Sequence, residues 1–318
     1  MKPLRSYAFI MYCLCMTASV LPAWAEQGSP SPDIETLEKV FKKASLWPGG
    51  NNREIVLQAR KELLAMGEPA LEFVLGKLDT TDPLEIRAIE AIARGSRMKA
   101  HDPLIALLRN DRAIIRLNAA FLLGRLRVRK AASEIELLLD DADVKITAMA
   151  ALAELESRDS AEKIALALLD PDETVRIAAA AALERLPNPV SIDLLIKALQ
   201  DPLASVRHPA VLALSAIGRP AAGPLAALLE TTDDFRVKVA ALQALTYIKD
   251  PSCLGAVLDA LKDRDWAVRA YAANALAEIQ DPSVMAVLQE TIVLEIHPFA
   301  KKKLEEAKER LEGSAPSQ

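Results

Sequence analysis

One dipeptide, an aliphatic residue followed by a basic one, returns along this chain at nearly constant intervals. Val175-Arg176 is matched by Ile86-Arg87, Ile115-Arg116, Val144-Lys145, Val206-Arg207, Val237-Lys238 and Val268-Arg269. The steps between the basic residues are 29, 29, 31, 31, 31 and 31. Spacing of that regularity is an internal repeat, and a period near 30 means stacked supersecondary units. Counting from the basic residue, position three is Ala119, Ala148, Ala179, Ala210, Ala241 and Ala272. Position seven is Leu123, Leu152, Leu183, Leu214, Leu245 and Leu276. Positions minus one, three, six, seven and ten share one helical stripe. Each unit therefore ends in a helix buried on one side, with small residues that let its neighbours approach closely.

Aromatic residues make up only 4% of the chain, while Ala and Leu dominate the apolar 51%. That composition suits helices and disfavours sheets. The expected fold is all-α, a solenoid of about eight helix pairs over 51–298. A linker and first helix precede it over 26–50, a capping helix follows at 299–312, and a loose tail occupies 313–318. Asp33 is placed to cap the first helix, and Asp102, Asp250 and Asp281 stand where they can cap before prolines. Unit two is irregular: Glu90 occupies a position of small residues, and Arg94 and Arg97 stand where Leu belongs. Its second helix is expected to be rotated or short.

Residues 1–25 read as a secretory leader. Lys2 and Arg5 open it, an apolar run follows, and Ala23-Trp24-Ala25 supplies small residues for cleavage. The protein is therefore expected to be exported, periplasmic or secreted, and bacterial. Without the leader, Cys253 is the one remaining cysteine, so neither an intrachain disulfide nor a thiolate metal site is expected. His101, His208 and His297 are scattered, and no phosphate-binding glycine loop occurs. No cofactor, metal or catalytic residue is expected.

The pattern D-P-x-x-x-V-R-x-x-A-x-x-A-L-x-x-I resembles the HEAT repeat, and most closely the HEAT-like repeat named from phycobilisome lyases. The resemblance implies a right-handed superhelix whose second helices line a concave side. It further implies a hydrogen-bonded ladder of turn Asp and helix Arg, carried here by Asp170 with Arg176, Asp201 with Arg207, and Asp263 with Arg269. A carboxylate near helix N-termini is favoured by their dipoles, and Arg can bridge two turns. The resemblance also offers an alternative function, a lyase-like or cofactor-handling enzyme.

Two sets of residues are candidates for partner binding. Residues 87–130 hold eleven basic residues against three acidic, and residues 131–200 hold fourteen acidic against six basic. The basic edge is Arg94, Arg97, Lys99, Arg127, Arg129 and Lys130, suited to an acidic protein or an anionic envelope polymer. The second set varies between units while the core columns repeat: Phe121, Arg125, Arg185, Gln243, Tyr247, Tyr271 and Asn274. These are expected on the concave face. Export and the acidic net charge weigh against nucleic acid. The sequence thus points to a monomeric, non-catalytic scaffold for another macromolecule. N-terminal sequencing of the exported protein should find Glu26 first; an intact Met1 on membrane-bound protein would instead mark the leader as an anchor.

Overall fold

The computed structural model describes residues 32–314, so the expected leader and most of the tail lie outside the described residues. Among the described residues nine helix pairs follow one another, against about eight expected, because the expected capping helix, Pro298–Ser314, completes a ninth pair with Met285–Leu294. They are α1 (Ile34–Ala44) with α2 (Asn52–Ala65), α3 (Glu68–Leu75) with α4 (Pro83–Gly95), and α5 (His101–Leu107) with α6 (Ala113–Arg125). Next come α7 (Ala132–Leu137) with α8 (Lys145–Glu154), α9 (Ala161–Leu166) with α10 (Glu173–Arg185), and α11 (Ile192–Ala198) with α12 (Ala204–Ile217). The last are α13 (Ala222–Thr231) with α14 (Phe235–Ile248), α15 (Leu254–Ala260) with α16 (Trp266–Ile279), and α17 (Met285–Leu294) with α18 (Pro298–Ser314). Second helices pack on second helices, so the molecule is an all-α solenoid. Among the described residues no single helix is long and apolar enough to cross a membrane.

The repeating columns are the core. Ala179, Ala182 and Leu183 are buried, as are their counterparts at positions three, six and seven from α6 to α16. Small residues there set the helix spacing. A Cβ added at Gly124 would lie 2.9 Å from the Cα of Ala151, so α6 and α8 touch backbone to backbone at that point. The helix α18 takes the second-helix place of a ninth pair. It buries Ala300, Leu304, Ala307 and Leu311 while its outer side stays charged, as a terminal repeat must. Trp266 stacks on His297 with centroids 4.2 Å apart and meets Phe299 edge-on, which fastens this last turn to α16.

A second column is set by the backbone rather than by side chains. Gly67, Arg97, Arg127, Glu156, Gly218, Lys249 and Gln280 all have φ between 53° and 77°. Each lies eleven residues after its unit's position zero, where a left-handed residue ends the second helix. Unit five is the exception, because Pro187 occupies this place and cannot take a positive φ.

That column corrects the expected register of unit two. Arg97 stands eleven residues after Ile86, so Ile86 and not Arg87 occupies position zero. Arg87 is exposed, and α4 turns Ala88, Ile89, Ile92 and Ala93 inward. The helix is full length but rotated by one position. A capping expectation is also corrected. Asp33, Asp250 and Asp281 accept from Thr36, Ser252 and Ser283 N–H as anticipated. Asp102 lies inside the first turn of α5 and pairs with Lys130 instead.

Five of these left-handed positions carry side chains that pay a steric cost. Gln280 is exposed and its side chain makes no hydrogen bond or ion pair among the described residues. Gln280→Gly should therefore stabilise the fold by about 0.5–1 kcal/mol, read as a higher melting temperature. A lower melting temperature would contradict the left-handed assignment.

Candidate partner-binding surface

The turns that join the two helices of each pair carry the ladder. In the turn before α12, the Asp201 carboxylate divides its two oxygens. Oδ1 accepts the Leu203 N–H at 2.9 Å, which fixes the turn, and Oδ2 accepts Arg176 Nε at 2.7 Å. Arg176 belongs to the preceding unit, and its Nη1 also donates to the main-chain oxygens of Asp170 and Pro171. One guanidinium thus ties two successive turns together.

The same arrangement recurs along the molecule. Asp141 takes Arg116 at 2.8 Å, Asp170 takes Lys145 at 2.5 Å and Asp263 takes Lys238 at 2.5 Å. Glu295, buried, holds Arg269 through both carboxylate oxygens at 2.6 and 2.7 Å. The expected pairs Asp170–Arg176, Asp201–Arg207 and Asp263–Arg269 are therefore corrected. Within a unit the arginine meets the aspartate's main-chain oxygen, and the carboxylate belongs to the basic residue of the unit before.

The ladder shifts its own ionisations. Burial works against the Asp201 carboxylate, yet Arg176 and the Leu203 N–H outweigh it and hold its pKa below the usual range. Asp170 is lowered first by Lys145 and then by the Asp172 N–H, and Glu295 first by Arg269. Asp201 raises the Arg176 guanidinium in turn.

The seven residues expected to face a partner lie along the exposed face of the second helices, in two grooves. Phe121, Arg125 and Arg185 line a mainly apolar groove of about 290 Å³ floored by Ile146, Ala150 and Ala181. Gln243, Tyr247, Tyr271 and Asn274 line another of about 350 Å³, closed by Glu278 and Arg310. Charges along the rim are paired between units: Arg185 with Glu154 at 2.8 Å, and Lys249 with Glu278 at 2.5 Å. Each of these pairs joins adjacent second helices, so the rim is a row of linked charges. Asn118 stands two residues after position zero, where the residue varies between units, and it faces inward: its amide donates to the Leu78 and Thr80 carbonyls in the turn after α3.

The basic edge differs from its expectation. All six side chains are exposed, but three are paired: Arg94 with Glu90, Arg129 with Glu156, and Lys130 with Asp102. Neighbouring units supply most of the acids for the basic block, including Asp79 to Arg112, Glu134 to Arg109 and Asp141 to Arg116. The imbalance between windows of sequence is thereby largely cancelled in space. Arg97, Lys99 and Arg127 have no ion pair among the described residues. Arg97 and Arg127 are stacked equivalents in the left-handed column.

Cys253 is buried, donates to the Asp250 carbonyl at 2.8 Å and has its pKa pushed up by burial. Among the described residues no group of three or more His, Cys, Asp or Glu could hold a metal ion.

Stacked two-helix units tied turn to turn define a helical-repeat solenoid. Residues 134–215, 161–238 and 223–307 match the family model of HEAT repeats, so more than half of the chain is covered and it belongs to that family. Among solved structures, importin beta is similar with a TM-score of 0.61 at 14% identity, over 87% of this chain and 46% of importin beta. The chain thus spans under half of importin beta, and the likeness is one of fold. The complex of CpcE and CpcF of phycocyanin lyase from a Nostoc species is similar at 23% identity and a TM-score of 0.39, over 66% of this chain and 94% of that one. Human deoxyhypusine hydroxylase is similar at 19% identity and a TM-score of 0.33, over 77% and 96%. No curated protein sequence matches the chain.

Asp201→Asn should lower the melting temperature at neutral pH by about 2–8 °C, the shift for losing about 1–2 kcal/mol in a chain of this size. A carboxylate with a depressed folded pKa stabilises above its unfolded value, about 4, and that contribution disappears as pH falls through the folded value. The difference between parent and variant should therefore shrink below pH 4. A difference that stays constant down to pH 2 would contradict the ion-pair account.

Proposed function

We propose that this protein is an exported, non-catalytic scaffold that binds another protein, or an anionic macromolecule, through the exposed face of its second helices. One observation carries the reading. The core columns are nearly invariant from unit to unit, whereas the column five residues after position zero on that face runs Phe121, Ala150, Ala181, Leu212, Gln243 and Asn274. Packing does not require Phe121 to stand 38% exposed or Tyr247 to stand 62% exposed. Aromatic side chains offer large contact area at little entropic cost, so they suit anchoring positions. The three unpaired cations, Arg97, Lys99 and Arg127, favour a partner with acidic character at the adjoining edge. The basic leader start, the apolar run and Ala23-Trp24-Ala25 support the reading of export, and with it a partner in the cell envelope or outside it.

Affinity capture from the native compartment tests this. Phe121→Ala combined with Tyr247→Ala should leave melting unchanged and reduce recovery of partners at least tenfold. Full recovery with the double variant would contradict the assignment of this face.

A further inference from the structure

Between Arg116 and Glu295, where every unit has a basic residue at position zero, one rung of the ladder is missing. Arg207 occupies position zero of unit six, and its Nη1 bonds the Asp201 and Pro202 carbonyls at 2.7 and 2.8 Å, as in Arg116, Arg176 and Arg269. In those three arginines Nε donates to a carboxylate of the next turn. Arg207 Nε and Nη2 have no partner among the described residues, because the next turn offers Thr232 in that place. The chemistry of the exchange is simple. Aspartate has one oxygen for the turn N–H and another for the cation. Threonine has a single oxygen, and Thr232 Oγ1 already accepts the Asp234 N–H at 3.3 Å. Asp234 is no substitute, since its carboxylate holds Arg236 at 2.7 Å and is lowered to about 2 by it. Asp233 is exposed and makes no bond to Arg207.

Arg207 also lines a groove. Arg207, His208, Val211, Phe235, Arg236, Val239 and Gln243 line a cavity of about 340 Å³ between α12 and α14. It shares His208, Val211 and Gln243 with the groove of Tyr247, Tyr271 and Asn274. The two adjoin through these shared residues: the first has an apolar wall with Arg207 and Arg236, and the second has amide and hydroxyl groups with Glu278 and Arg310. A half-buried guanidinium lacking two of its bonds favours a carboxylate strongly, and a planar carboxylate fits Nε and Nη2 together.

We infer that Arg207 is an anchor for an acidic side chain, and that an extended segment of a partner protein supplies through its own Asp or Glu the carboxylate that this rung lacks. The inference rests on the partner-binding reading of the second-helix face and names the feature the partner must carry. The apolar wall of Val211, Phe235 and Val239 takes an aliphatic neighbour of the acid. A site that needs both contacts discriminates against isolated anions.

The experiment uses 15N–1H correlation spectra of the arginine Nε–H groups in the intact protein. Three probes are added: a capped hexapeptide of alternating Val and Glu, its Gln counterpart, and sodium sulfate. The Glu peptide should shift the Arg207 signal and bind at least tenfold more tightly than the Gln peptide. Thr232→Asp should complete the rung within the chain, raise the melting temperature and abolish the shift. Equal binding of the Glu and Gln peptides would overturn the proposal, as would unchanged peptide binding by a Thr232→Asp variant that melts higher. Sulfate moving Arg207 as strongly as the Glu peptide would also overturn it, by making the site a plain anion site. Partner capture sensitive to Phe121 and Tyr247 but not to Thr232→Asp would leave the scaffold reading standing and remove only this anchor.

Discussion

The two oxygens of a turn carboxylate hold this solenoid in register. One accepts the N–H two residues on and closes the turn at the start of a second helix; the other accepts the basic residue of the unit before. The bond that shapes each unit is therefore made by the same group that joins it to its neighbour. Helix pairs cannot bury their apolar stripes alone, so stacking is obligatory, and apolar stacking by itself is tolerant of sliding. The directional bonds of the ladder fix the step. Where a cation bridges two turns it also satisfies main-chain carbonyls at the helix junction that would otherwise lack partners.

Much of this was legible in the sequence because the core is periodic. The Ala and Leu columns announced the second helices, and their burial from α6 to α16 follows the spacing residue for residue. The left-handed column was not legible as a side-chain pattern, since Arg, Glu, Lys and Gln share it with two glycines. Only Gly67 and Gly218, set at equal distances from Val56 and Arg207, carried a hint of it. Ile86-Arg87 imitates the repeat's dipeptide while lying one residue out of register, and the backbone rather than the motif decides the matter.

Charge was the least legible property. A window of sequence counts the cations of units two and three together, yet their acids stand in neighbouring units, as with Arg129 and Glu156 or Arg109 and Glu134. In a solenoid the spatial neighbour is one repeat away, so net charge must be summed across units before a surface is inferred. The variable columns were better guides. The seven candidates taken from them lie on one face in two grooves because the repeat superimposes them, while Asn118 of the same columns turns inward. What the sequence did not reveal is that the ladder pauses at Thr232, which is visible only when each carboxylate is traced to its partner.

The central claim, that carboxylate–cation rungs couple adjacent units, is tested most directly by a double-mutant cycle at Arg269 and Glu295. Here the carboxylate is buried and held through both oxygens. Arg269→Met and Glu295→Gln, alone and together, should give a coupling energy of about 1–3 kcal/mol in denaturant unfolding. The same cycle at the more exposed pair Arg185 and Glu154 should give below about 1 kcal/mol. Equal, small couplings at both sites would contradict the account and leave apolar stacking alone to hold the repeats in register.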